Sequence, residues 1–163
     1  MQSEASSGRS EAVAPRPLAE LLECPSTIGS LLNRAAVPYE FEPGACVFAQ
    51  FDLCRGLYLV VSGQFQRRTE RFETRLTLGP VRAGELVELA AALGRGRHTY
   101  TLSAVTQSSV LLLPIEALHR AFEAYPPLRM QLLEELAREV SRAYDGCCRV
   151  RFTKPARAGV TQR

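Results

Sequence analysis

At 163 residues, with 46% apolar and 23% charged side chains, the chain can bury one real core with some extra helix but is too short for two full domains. A formal net charge of +3 is too small to argue for nucleic acid, which needs a clustered basic face. No run of about 18 uncharged apolar residues is available to span a bilayer, and Met1 to Glu11 lacks the apolar centre of a secretory signal, so the expectation is a soluble, cytoplasmic protein with no membrane partner.

Residues 1–17, rich in Ser, Ala, Glu and Pro, predict a disordered arm. Leu18, Leu21 and Leu22 then fall at helical spacing, and Thr27 to Arg34 offers a second short apolar face before Pro38, predicting one or two short helices. From Tyr39 the pattern is β: Tyr39 and Phe41 alternate with Glu40 and Glu42, Pro43-Gly44 supplies a turn, and Cys46-Val47-Phe48 opens the next strand. Leu57 to Val61 is a near-continuous apolar run closed by Ser62-Gly63, as for a strand buried on both faces. Phe65, Arg67 and Thr69 alternate with polar neighbours up to a hairpin near Glu70 to Glu73, and Thr74 to Leu78 returns. Glu85 to Leu93 reads as a helix stopped by Gly94 and Gly96. Tyr100 to Leu113 gives two more strands, and Ile115 to Glu123 a small helix with Leu118 and Phe122 on one face.

Pro126-Pro127 starts the last helix, expected over 126–146. Met130, Leu133, Ala137, Val140 and Tyr144 recur at the a/d spacing of a short coiled coil, beside a second stripe of Leu128, Leu132 and Leu136. One stripe can pack on the strands while the other meets a partner helix, and the predicted partner is a second copy of the chain. Residues 147–163 read as a basic tail.

The basic side chains are 19 arginines and one lysine, Lys154, a usage that points to a high-GC, bacterial coding sequence. The five cysteines, Cys24, Cys46, Cys54, Cys147 and Cys148, form no CxxC pair, and with only His98 and His119 no zinc site is expected. They read as reduced thiols, with the adjacent Cys147-Cys148 the pair to watch for redox or intermolecular metal chemistry.

Pro43-Gly44, Gly56 to Gly63, Ala83-Gly84-Glu85-Leu86-Val87-Glu88-Leu89 and Ala104 to Leu113, in that order and spacing, resemble the cyclic nucleotide-binding domain of the Crp/Fnr family. The resemblance runs from Ile28 to Tyr144. It implies a jelly-roll β-barrel with short N-terminal helices over 18–125, followed by a long dimerisation helix: mainly β with flanking helices, α+β. It also implies a dimer seam along Met130, Leu133, Ala137, Val140 and Tyr144. Phe51 stands where a turn glycine is common before Asp52.

In that family a Gly-Glu-Leu segment at a helix start and an Arg-Ser/Thr-Ala segment some ten residues later hold the ligand, the amides and guanidinium taking the phosphate and the glutamate a ribose hydroxyl. Here Val87-Glu88-Leu89 and His98-Thr99-Tyr100 stand at those places. Val87 puts a branched side chain where backbone must approach the ligand, His98 removes the bidentate fork, and Tyr100 adds a ring where the family has a small residue. The resulting expectation is a degenerate pocket on a non-catalytic regulatory domain, with no resident cofactor and no bound metal. The alternative keeps Glu88, Leu89, Arg97, His98 and Thr99 as a working receptor, with Arg97 shifted into the arginine place and a cyclic nucleotide as ligand.

The Fnr branch of the family carries a similar Ala-Gly-Asp-Leu-Val segment, but Cys24 alone before the barrel gives no basis for its iron-sulfur cluster. A cupin-like metal enzyme would need three or four converging ligands, which two histidines do not provide. Full-length regulators add a winged helix-turn-helix after the dimer helix. Only 19 residues follow Tyr144, so DNA binding by this chain alone is not expected, and a protein partner is.

Overall fold

In the computed structural model, which describes residues 17–71 and 74–150, prolines open the first two helices. Pro17 precedes α1 (Leu18–Leu21) and Pro25 precedes α2 (Ser26–Ala35), each with the restricted φ that suits the start of a helix. Eight strands follow: β1 (Val37–Phe41), β2 (Cys46–Phe48), β3 (Gly56–Ser62), β4 (Gln64–Arg71), β5 (Thr74–Arg82), β6 (Leu86–Val87), β7 (Thr101–Ala104) and β8 (Ser108–Pro114). A π-helical turn, Ala91–Arg95, stands between β6 and β7. Two helices close the order, α3 (Ile115–Ala124) and α4 (Pro127–Val150).

The strands form two four-stranded sheets, ordered β1-β8-β3-β6 and β2-β7-β4-β5, and every pairing recorded is antiparallel. This is the expected mainly-β sandwich with flanking helices and a long last helix. Its centre is the β3–β8 pair, Leu57 opposite Leu113 and Val60 opposite Val110. Because side chains alternate across a strand, this pair feeds two cores. Leu57, Leu59 and Leu113 pack with Leu32, Leu118, Leu128 and Leu132 in a helical layer. Tyr58, Val60, Val110 and Leu112 pack with Phe65, Val81 and Leu102 between the sheets. The continuous apolar run Leu57 to Val60 is thus buried on both faces, as its composition implied.

The paired stripes of the last helix also separate. Leu128 and Leu132 are buried and Leu136 is half-buried in the helical core, whereas Met130, Ala137 and Val140 are exposed and Leu133 is half-exposed.

Several boundaries differ from the sequence reading, and β5, expected to end at Leu78, runs to Arg82. The first strand begins at Val37 and contains Pro38, which an edge strand tolerates because its missing N–H need not pair. The helix expected over Glu85 to Leu93 and stopped by Gly94 begins only at Leu89 and runs through Gly94 to Arg95, while Leu86–Val87 is a strand in which Val87 pairs with Tyr58 and Leu86 with Leu59; pairing to the buried β3 overrides helix propensity there. The strand expected from Tyr100 starts at Thr101, which leaves His98 in the loop before it. Helix α4 extends to Val150 rather than 146, taking in Gly146, Cys147 and Cys148. The predicted arm (residues 1–16), the hairpin tip at Phe72 and Glu73 and the tail from 151 lie outside the described residues, as do the side chains of Arg95, Tyr144, Cys147 and Cys148.

The β3–β4 hairpin turns on Gly63, at φ +82°. A Cβ there would collide with the Ser108 hydroxyl, which itself accepts from the Gln64 amide at 3.2 Å. Gly63→Ala combines left-handed strain with this collision and should cost on the order of 2 kcal/mol, read as a lowered urea midpoint with unchanged slope.

Candidate functional site

The short strand β6 delivers Glu88 to the inside of the molecule. Val87 is pinned by its pairing with Tyr58, and Glu88 then takes a left-handed φ of +71°, unusual for a residue other than glycine. Its carbonyl accepts the Ala92 amide at 2.9 Å, starting the helical turn, and Gly96 at φ +68° ends it. The chain thereby returns to bring residues 98 and 99 over the Glu88 side chain.

Glu88 is only 3% exposed and His98 2%. The carboxylate accepts the Thr99 amide at 3.1 Å and the Thr99 hydroxyl at 2.8 Å, and lies 3.0 Å from His98 Nδ1. A carboxylate only accepts, which assigns the imidazole proton to Nδ1. Three charge-assisted bonds offset the cost of burying this group.

The imidazole of His98 stacks flat on Phe48, with ring centroids 3.7 Å apart and planes 7° from parallel. Phe48 also meets Tyr58 at 5.2 Å and Tyr100 at 5.9 Å. Burial pushes the Tyr58 phenol up to about 12, and raises that of Tyr100 further, with the Glu88 charge adding to burial. Both stay protonated at neutral pH and serve as ring surfaces between the sheets.

Arg67 of β4 closes this cluster on the α4 side. Its guanidinium lies 5.7 Å from the Tyr100 ring centroid, Nε donates to the Gly79 carbonyl at 3.0 Å, and Nη1 donates to Glu139 of α4 at 3.2 Å. Burial raises the Glu139 carboxyl above its ordinary value, and the Arg67 charge pulls it partly back.

Of the five candidate ligand residues, the fold joins Glu88, His98 and Thr99. Leu89 turns away into the helical core. Arg97 is exposed, its Nη1 donating to the Phe51 carbonyl at 2.8 Å while its backbone bridges Leu53. Glu88, which falls within the segment expected to be helical, is buried and follows a strand. Phe48, Arg67 and Glu139 were missed: each sits at an ordinary position in its own element, and no local signal marks a ring that will stack on a residue 50 positions later.

The cluster ties the returning 98–99 segment to Glu88, the Thr99 hydroxyl donating to the carboxylate and not to the imidazole. Among the described residues no three His, Cys, Asp or Glu side chains converge as a metal site. No helix among them is long and apolar enough to cross a membrane. Surface depressions beside α2 and between the π turn and α3 are lined by neither Glu88 nor His98.

The family model of the cyclic nucleotide-binding domain matches residues 38–125, just over half the chain. Among solved structures, the Thermus thermophilus catabolite activator protein is similar at 27% identity and TM-score 0.68, over 83% of this chain and 63% of that one. The chain thus spans less than two thirds of that relative. Two others share the fold: the sensor domain of the transcriptional regulator DNR from Pseudomonas aeruginosa, with 21% identity, TM-score 0.65 and coverage of 78% and 85%, and the c-di-GMP responsive global regulator CLP of Xanthomonas campestris, with 18% identity, TM-score 0.67 and coverage of 80% and 66%. No curated protein matches the sequence.

Because the folded Glu139 carboxyl titrates above its unfolded value, it lowers stability as pH rises from about 4.5 through the raised folded value, and is neutral below that window. Glu139→Gln keeps an acceptor for Arg67 and removes this penalty. It should match or exceed the parent in urea midpoint at pH 7, with the difference vanishing near pH 3.

Proposed function

This chain belongs to the cyclic nucleotide-binding domain family, and we propose that it is a dimeric, non-catalytic regulatory domain of Crp/Fnr type whose nucleotide pocket is filled by its own side chains. The observation that carries the reading is the Glu88 carboxylate, bonded to His98 Nδ1 and to both donors of Thr99. In the family pattern this carboxylate receives a ribose hydroxyl and a guanidinium takes the phosphate. Here the acceptor is engaged internally, an imidazole stacked on Phe48 replaces the guanidinium, and the buried Tyr100 ring stands where a small residue would leave room. A cyclic nucleotide would have to break three hydrogen bonds and part an aromatic cluster before making its first contact. The receptor reading through Arg97 finds no support in its side chain, which caps the Phe51 carbonyl.

Isothermal titration with cyclic AMP, cyclic GMP and cyclic di-GMP tests this. No micromolar heat is expected from any of them. Micromolar binding that Arg97→Ala removes would replace the closed-pocket reading with that of a working receptor.

The output of such a domain is carried by α4. Its buried stripe fixes it to the helical core, and the exposed stripe, with Met130 and Val140 each 59% exposed, has the a/d spacing of a two-helix seam. We assign that face, Met130, Leu133, Ala137, Val140 and Tyr144, to a homodimer acting in the cytoplasm, with a protein partner as the recipient of the signal. Val140→Glu places a charge in the seam and should halve the mass seen by light scattering without loss of helical circular dichroism. An unchanged dimer mass would sink the assignment.

A further inference from the structure

The two most exposed large apolar side chains among the described residues are Phe51 at 65% and Leu53 at 68%, two positions apart on the loop joining β2 to β3. Phe51 adopts φ +73°, a region that suits glycine and strains a bulky residue. Strain and exposure at one residue both oppose stability, so the ring is not there to hold the fold.

The loop that carries it is nevertheless fixed on both flanks. On one side the Phe51 amide donates to the His98 carbonyl at 2.9 Å, His98 to Asp52 at 2.9 Å and Cys54 to Gly96 at 2.8 Å, while the Arg97 guanidinium caps the Phe51 carbonyl. On the other side the Gln50 side-chain amide accepts from the Glu70 backbone at 2.9 Å and donates to the Thr69 hydroxyl at 3.0 Å. The two apolar side chains are therefore presented on backbone already ordered, which removes the usual entropy cost of docking on a loop.

The surroundings specify a partner. Within the loop and the segment paired with it, Arg55 and Arg97 are exposed, Arg97 bridging the Leu53 backbone and Arg55 two positions after Leu53, against the one exposed carboxylate of those two segments, Asp52; the next exposed carboxylate is Glu70, beyond Gln50. We propose that Phe51 and Leu53, with Arg97 at the Phe51 carbonyl and Arg55 next along the loop, form a docking surface for a partner protein segment that presents apolar side chains flanked by carboxylates. Burying the Phe51 ring and the Leu53 side chain would give affinity from the apolar contact, and ion pairs to the arginines would give orientation. A lipid surface fits less well, because Asp52 lies between the two apolar residues and two side chains give little insertion. The surface lies outside the Glu88 pocket and does not depend on whether that pocket binds a nucleotide.

The test is amide NMR of the full chain titrated with a synthetic peptide of leucines and phenylalanines spaced among glutamates. Its controls are the same peptide with lysines in place of the glutamates, and phosphatidylserine vesicles. The acidic peptide should shift residues 50–55 and 96–98, the lysine peptide should not, and Phe51→Gly should weaken the response at least tenfold while its melting temperature stays level or rises. The proposal is overturned by absent shifts, by shifts elsewhere, by an equal response to the lysine peptide or by a response that survives Phe51→Gly. It is equally overturned by vesicle binding that Phe51→Gly removes, which would make the surface a membrane contact, or by a fall in melting temperature, which would make Phe51 structural.

Discussion

A carboxylate buried between two sheets must be satisfied from inside the protein, and the Glu88 side chain imposes that requirement on everything near it. Glu88 and His98 are ten positions apart, so the intervening chain has to leave β6, turn and come back. The left-handed backbone of Glu88, the π turn Ala91–Arg95 and the left-handed Gly96 accomplish the return. The returning segment then lies along the 51–54 loop in backbone hydrogen bonds, and its imidazole lands on Phe48. The conformation of this whole side of the barrel follows from one charge needing three donors.

The same cluster reaches the last helix through a short series of contacts. His98 stacks on Phe48, Phe48 lies against Tyr100, Arg67 sits over Tyr100, and Arg67 pairs with Glu139. Meanwhile the β3–β8 pair holds the helical layer on its other face, so α4 is gripped by Leu128 and Leu132 at one point and by Arg67 further along. Rearrangement of the aromatic cluster would be felt at the helix through a half-buried ion pair, which is a physical route by which a barrel can influence the orientation of a helix.

Much of the architecture was legible because it rests on local pattern. The two-faced apolar run at β3, the alternation of β4, the proline start of the last helix and its twin stripes are each written in neighbouring residues, and the structure carries them there. Glu85 to Leu93 was misread at its start because its composition favours helix, while Leu86 and Val87 are claimed by pairing with Leu59 and Tyr58, 27 and 29 positions earlier. Of the site, Glu88 and Thr99 were identifiable as residues that keep a family pattern and His98 as one that departs from it. Their mutual bonding was not, since it depends on a turn whose π geometry no motif announces.

The sequence by itself therefore determined a mainly β fold of short strands with flanking helices and a last helix carrying two apolar stripes, because these follow from side-chain periodicity and turn residues. Only the tertiary structure decided that Glu88 is buried and bonded to His98, that Arg97 points to the Phe51 carbonyl instead of to the barrel, and that Phe51 and Leu53 are left bare. Those outcomes depend on which segments meet across the sandwich, and a partner 10 to 50 residues away leaves no trace in the local pattern of either residue.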